Sequence, residues 1–236
     1  MKKRPISISI IGLLMTMSSL WGLPGTLAAQ QKTQPIATEV PSQPLFQGAF
    51  VGVDVFGPAM HVLGSDFLNT EVSLEANLKN KYFPTLEIGY GSTDTTDDET
   101  NIHFKTSAPY FRIGAGYNVF HKKPHLPGQF IIGVRFGHNS FKYDVEAPAL
   151  SDPYWAGTTI PLSYQGVKTN ASWLELVASL KTHVYKGFYL GLSVRYRSLI
   201  KVKKSENSEP WYIPGFGKNK STNFGVTYNL IYKLPF

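Results

Sequence analysis

Residues 222–236 read TNFGVTYNLIYKLPF, from Thr222 to Phe236. Phe224, Val226, Tyr228, Leu230, Tyr232, Leu234 and Phe236 fall on one parity. Asn223, Gly225, Thr227, Asn229, Ile231, Lys233 and Pro235 fall on the other. Strict alternation is the period of a strand whose two faces meet different surroundings. An apolar stripe running to the last residue fits a strand with lipid on one side and a polar lumen on the other.

The same two-faced pattern recurs upstream. Ala49, Val51, Val53 and Val55 alternate with Phe50, Gly52, Asp54 and Phe56. Further runs centre on Val72–Leu78, Leu86–Tyr90, Phe111–Val119, Phe130–Phe136, Leu174–Leu180 and Phe188–Tyr196. With the terminal run these make eight predicted strands, an even number as bacterial outer-membrane barrels require. The gaps alternate in length. Gly57–Asp66, Ser92–His103, Glu146–Asn170 and Lys203–Ser221 are long; Asn80-Lys81 and Tyr185-Lys186-Gly187 are short, and His121–Gly128 is a longer turn stiffened by Pro124 and Pro127. Sorted connections place one rim outside and the other in the periplasm. The expected fold class is therefore all-β, an eight-stranded antiparallel up-and-down transmembrane barrel with long external loops.

The 236 residues suffice for one such domain, expected over 48–236. Lys2-Lys3-Arg4, the apolar run Ile6–Trp21 and the small residues Thr26-Leu27-Ala28-Ala29 read as a cleaved secretory signal over 1–29. Residues 30–47, rich in Gln, Pro and Thr, read as a flexible periplasmic leader. The formal charge is +7; without Lys2, Lys3 and Arg4, 20 basic residues face 16 acidic ones, a balance of +4. That scattered excess gives no case for nucleic acid. The chain has no cysteine, which excludes disulfides, thiolate metal sites and a lipoprotein anchor.

The second parity carries Asp54, Glu75, Glu87, Arg112, Arg135, Glu175, Lys181, Arg195 and Arg197. An eight-stranded barrel is about wide enough to be filled by side chains, so these charges are expected to pair as an internal plug. An ion- or proton-conducting path through them is the alternative. Tyr82, Tyr110, Tyr117, Phe120, Phe141, Tyr143, Phe188, Phe224 and Tyr232 fall near strand ends. Aromatic girdles at the headgroup boundary are built this way, and cross-strand packing accounts for them equally.

The loops hold the remaining candidates. Asp94, Asp97, Asp98 and Glu99 cluster without calcium-loop spacing, so no metal and no cofactor is expected. Tyr154 and Trp155, and Trp211 and Tyr212, lie in Pro- and Gly-rich stretches suited either to ligand binding or to packing over the barrel mouth. His138-Asn139-Ser140 looks like the His-x-Ser pair of outer-membrane lipid A deacylases. By that resemblance Ser140 would be nucleophile, His138 base, and Glu146 or Asp144 the orienting carboxylate. Gly137 and Phe141 do not extend the resemblance. No phosphate-binding loop or dinucleotide fingerprint is present.

Two wider resemblances follow from these residues. Tyr232, Leu234 and the terminal Phe236 resemble the assembly signal of Gram-negative outer-membrane barrels. Gly133-Val134-Arg135-Phe136-Gly137 with Ser140-Phe141, Pro153-Tyr154-Trp155, Trp173-Leu174-Glu175, YLGLSVRY over Tyr189–Tyr196 and the run Tyr212–Phe236 resemble a family of small Bacteroidetes outer-membrane barrels without known activity. The resemblance covers nearly everything from Gly48 onward. It implies outer-membrane location, contact with membrane lipid and lipopolysaccharide, and insertion by the barrel-assembly machinery. The expected role is structural, in envelope integrity, or binding of an external ligand by the loops. A lipid A hydrolase using Ser140 and His138, or a narrow porin-like channel, stands as the alternative.

Overall fold

The computed structural model describes residues 44–123, 125–151, 159–205 and 208–235. The expected signal and leader (through residue 43), Tyr154, Trp155 and Phe236 lie outside the described residues. Eight strands close into an antiparallel ring in which each pairs with its sequence neighbours and the last meets the first. They are β1 (Phe46–Asp54), β2 (Phe67–Leu78), β3 (Tyr82–Thr96), β4 (His103–Asn118), β5 (Gly128–Ser151), β6 (Thr159–Tyr185), β7 (Phe188–Val202) and β10 (Thr222–Lys233). The seam between β1 and β10 pairs Phe50 with Lys233 and Asp54 with Asn229. Within the ring, closure pairs every strand on both sides.

Alternation along each strand becomes inside and outside. Val72, Leu74, Leu86, Ile88, Ile113, Val134, Leu176, Val194, Val226 and Leu230 all point outward and stay exposed. Glu71, Glu87, Arg112, Glu175, Lys181 and Arg195 point inward and are buried. The order is inverted relative to a water-soluble protein, where large apolar patches are covered and charges stay outside. The tight end is shaped by left-handed backbone: Lys79 and Asn80 have φ of +54° and +53°, the conformation of a two-residue hairpin turn.

The long connections are more ordered than their composition predicts. Gly57–Asp66 contains a helix, α1 (Phe56–Val62), rather than loop alone. Glu146–Asn170 is largely a hairpin, because β5 and β6 keep pairing out to Ser151 and Thr159. These strands, at 24 and 27 residues, far exceed the roughly 9–11 needed to cross a bilayer. Prolines and glycines hid the pattern; bulges between Tyr143 and Val145 and between Ala147 and Leu150 absorb the interruptions. β3 and β4 likewise extend into Ser92–His103, pairing as far as Thr96 with His103. In Lys203–Ser221, β8 (Tyr212–Ile213) and β9 (Gly217–Lys218) form a two-stranded hairpin of their own.

The aromatic expectation needs a correction. Tyr110, Phe141 and Tyr143 belong to an internal cluster with Phe104, Trp173, Ile213 and Phe216. They sit near the long-loop end, but on the inward parity, so they fill the lumen. Tyr82, Tyr117, Phe188, Phe224 and Tyr232 do face outward. Gly137 makes room for this cluster: a Cβ there would lie 2.2 Å from Cε2 of Trp173. Gly137→Ala is therefore expected to overpack the lumen and cost about 1–3 kcal/mol. A lower urea midpoint for the detergent-folded protein checks this, with outward-facing Ser140→Ala expected to leave the midpoint unchanged.

Candidate functional site

Inward residues stack in layers from the short-turn end. Phe50, Phe83, Ile131 and Ile231 form an apolar floor. Above it Lys181 Nζ lies 2.7 Å from Glu75 and 4.4 Å from the centre of the Phe50 ring. A neighbouring carboxylate and an aromatic face together hold this buried ammonium.

The next layer is the densest. Register sets Glu87 of β3 opposite Arg112 of β4, and Glu175 of β6 between Arg135 of β5 and Arg197 of β7. Glu87 pairs with Arg135, with Arg112 at 3.2 Å and with Arg195 at 2.8 Å. Arg195 also reaches across the lumen to Glu71 of β2 at 2.5 Å, and Arg112 pairs with Glu71 too. Glu175 lies 2.7 Å from Arg112 Nε and 3.4 Å from Arg197 Nε, and accepts a hydrogen bond from Trp173 Nε1 at 2.7 Å. The contact to Arg112 Nε is one of charge, not an aligned hydrogen bond. Removing these ions from water is costly, and mutual pairing is what offsets it.

Of the sequence-predicted charges, the structure joins Glu87, Arg112, Arg135, Glu175, Arg195 and Arg197 in one network and sets Glu75 with Lys181 below it. Asp54 stands apart: its carboxylate accepts from the N–H groups of Phe56 and Gly57 at the start of α1, and from Tyr228 N–H across the seam. Parity alone assigns it to the lumen, but it lies at the strand end, where unpaired helix N–H groups claim it. Glu71 was missed although it shares the parity of Glu75 in the same strand.

Four arginines over three glutamates leave a positive excess, which backbone carbonyls meet. The β8–β9 hairpin bends into the barrel mouth. Gly215 O accepts from Arg112 Nη2 at 2.7 Å and Phe216 O from Arg197 Nη1 at 3.0 Å. Asn139 Nδ2 donates to Pro214 O at 2.7 Å. Gly215 has φ +82°, and a Cβ there would fall 2.5 Å from the Tyr110 ring, so only glycine fits. Tyr212 is buried and stacks on Phe67 at 5.1 Å. Trp211 stays half-exposed and stacks on Phe104 at 5.8 Å. The segment thus packs over the mouth while leaving one face of Trp211 open.

Beside the plug hairpin opens a cleft of about 430 Å³. Asp66, Asp97 and Asp98 stand around it, with Phe104, Trp211 and Tyr212 as an aromatic wall and Lys218 opposite in charge. Asp97 accepts from Thr100 N–H at 2.9 Å and Thr100 Oγ1 at 2.8 Å, which hold its carboxyl below the usual carboxylate range. Among the described residues no group of acids and histidines could hold a metal ion. Elsewhere within the barrel, spaces beside Glu75 and Arg135 measure only about 10 Å³ each.

The His-x-Ser arrangement is not assembled as its spacing predicts. His138 Nδ1 bonds Ser172 Oγ at 2.8 Å, its direct cross-strand partner, while Ser140 lies opposite Asn170. Residues two apart on one strand are separated by about 7 Å, farther than a directly opposite pair. Glu146 accepts from Gln165 and Asp144 from Gly166, so neither orients His138. Tyr232 faces outward near the seam and Leu234 donates its N–H to Ala49 O at 2.8 Å, tying the last residues to β1.

The network makes a stability prediction. Glu87→Gln leaves Arg135 and Arg195 short of a counter-charge and should cost about 3–5 kcal/mol, read as a lower urea midpoint in detergent. Glu87→Gln combined with Arg195→Met should recover part of that loss. An unchanged midpoint for Glu87→Gln would mean that the cluster does not brace the wall.

Comparison with curated proteins finds no match. Among solved structures, Neisserial surface protein A is similar at 13% identity and a TM-score of 0.45, over 80% of this chain and 99% of that one. Ail, the attachment invasion locus protein of Yersinia pestis, solved with the heparin analogue sucrose octasulfate, is similar at 11% identity and a TM-score of 0.39, over 79% of this chain and 97% of that one. The family model described as a domain of unknown function, DUF6048, matches residues 6–236, and the chain belongs to that family.

Proposed function

We propose that the protein is a non-conducting outer-membrane barrel that presents a binding surface at its long-loop end. One observation carries the reading: the barrel strands present rows of large apolar side chains outward around a lumen packed with paired charges and aromatic rings. A surrounding lipid phase makes that outward surface favourable. Residues 1–29 would supply export, and Tyr232, Leu234 and Phe236 the assembly signal. The Glu–Arg network and the β8–β9 hairpin fill the space through which a channel would run, and this supports a closed wall over a porin-like one.

Polarity along the outer wall supports an outward-facing long-loop end. Lys142 of β5 lies directly opposite Lys168 of β6, and Lys201 of β7 pairs with Ser172 nearby. Like charges directly opposite on a sheet repel. Among the described residues these three lysines make no ion pair with a carboxylate, and all are exposed. They lie just beyond the apolar rows, at the height where phosphates of lipopolysaccharide would offset the repulsion. Surface binding, rather than hydrolysis, is the role this arrangement serves; His138 and Ser140 are not bonded to each other.

Two measurements test the proposal. The protein inserted in planar bilayers should give no conductance steps, and steps of porin size would contradict the closed lumen. Lys142→Glu with Lys168→Glu should lower the unfolding temperature more in vesicles containing lipopolysaccharide than in phosphatidylcholine alone. An equal shift in both would contradict the lysine–phosphate contact.

A further inference from the structure

The cleft beside the plug hairpin is built for a ligand of definite charge. Three carboxylates, Asp66, Asp97 and Asp98, face one ammonium, Lys218. Such an excess attracts cations and repels polyanions. Among the described residues Asp98 has no ion pair or hydrogen bond through its carboxylate, and one Asp66 oxygen accepts only from Thr95 Oγ1 at 3.3 Å. Acceptor capacity is thus left over at the rim.

Geometry excludes the simplest cation. The carboxylates do not converge into a group able to hold a metal ion. Dispersed acceptors match a ligand whose positive charges are themselves spaced apart. Between them runs the aromatic wall, with Trp211, 37% exposed as a residue, stacked on Phe104 at an interplanar angle of 14°. Aromatic surface of this kind takes both methylene groups and ammonium groups.

A separate observation marks the floor. Thr93 is 2% exposed and lines the cleft, yet its Oγ1 has no hydrogen-bond partner. A buried hydroxyl without a partner is uncommon in a folded protein and calls for one. An N–H donor entering the cleft would supply it once the Thr93 side chain turns toward it, since the oxygen is otherwise sealed.

We propose that the cleft formed by Asp66, Asp98, Trp211 and Thr93 binds a linear organic polycation of the polyamine class. Its ammonium groups pair with the separated carboxylates, its methylene chain lies along the aromatic wall, and one N–H donates to Thr93 Oγ1. The proposal rests on the surface-binding reading only in taking the cleft to face outward.

Calorimetric titration of the full chain, folded in detergent, with spermidine tests it. Saturable binding is expected at low salt. It should weaken roughly tenfold or more in Asp66→Asn/Asp98→Asn and in Trp211→Ala. Raising sodium chloride from about 0.02 to about 0.5 M should weaken it likewise, since screening acts on exposed charges. Absence of binding by a barrel with a β-type circular dichroism spectrum overturns the polycation proposal alone. So does equal affinity in the variants, or tighter, salt-independent binding of a neutral oligosaccharide. A chain that gives no β spectrum in detergent or lipid overturns the barrel reading as well.

Discussion

Everything in this molecule hangs on the Glu71–Glu87–Glu175 carboxylates being shared among arginines from other strands. Arg195 on β7 reaches Glu71 on β2 and Glu87 on β3, so the bonds cross the lumen and join walls that the sheet connects only the long way round. A buried charge alone is prohibitively costly, and these ions have one another as counter-charges only when the ring is closed. Register follows from the same constraint. A one-residue slip of β7 would turn Arg195 and Arg197 outward and Val194 and Tyr196 inward, losing both the ion pairs and the apolar outer face.

The network also organises the loop end. Its positive excess draws the carbonyls of Gly215 and Phe216 inward, which fixes the β8–β9 hairpin as a cap and buries Tyr212 and Ile213. The cap in turn holds Trp211 against Phe104 and so forms one wall of the acidic cleft. Plug, cap and cleft are consecutive consequences of one electrostatic arrangement. A surface-binding role and a closed lumen are therefore linked in this account, because opening the lumen would dismantle the cleft.

Much of this was legible in sequence because a strand of period two advertises its faces. The ring of eight, the outward apolar rows and most of the inward charges are each encoded by neighbours within a few residues. What escaped depended on partners far along the chain. Arg112 and Gly215 are 103 positions apart, and nothing local to Pro214-Gly215-Phe216 shows that its carbonyls meet a guanidinium. Tyr110, Phe141 and Tyr143 looked like girdle residues by their place near strand ends, whereas parity puts them inside. His138 found Ser172 rather than Ser140 because pairing brings the cross-strand residue closer than the next one on the same face. The β5–β6 extension was hidden by prolines and glycines that bulges accommodate.

The central claim is that the chain closes into a lipid-embedded ring braced from within. Electrophoretic mobility of the protein from purified outer membranes, boiled against unboiled in SDS, tests it most directly. A ring whose strand edges are all paired resists SDS until heated, so the account predicts a clear mobility shift on boiling. Identical mobility in both samples, with the protein recovered in the soluble fraction, would contradict it and make the outward apolar rows an interface between packed sheets.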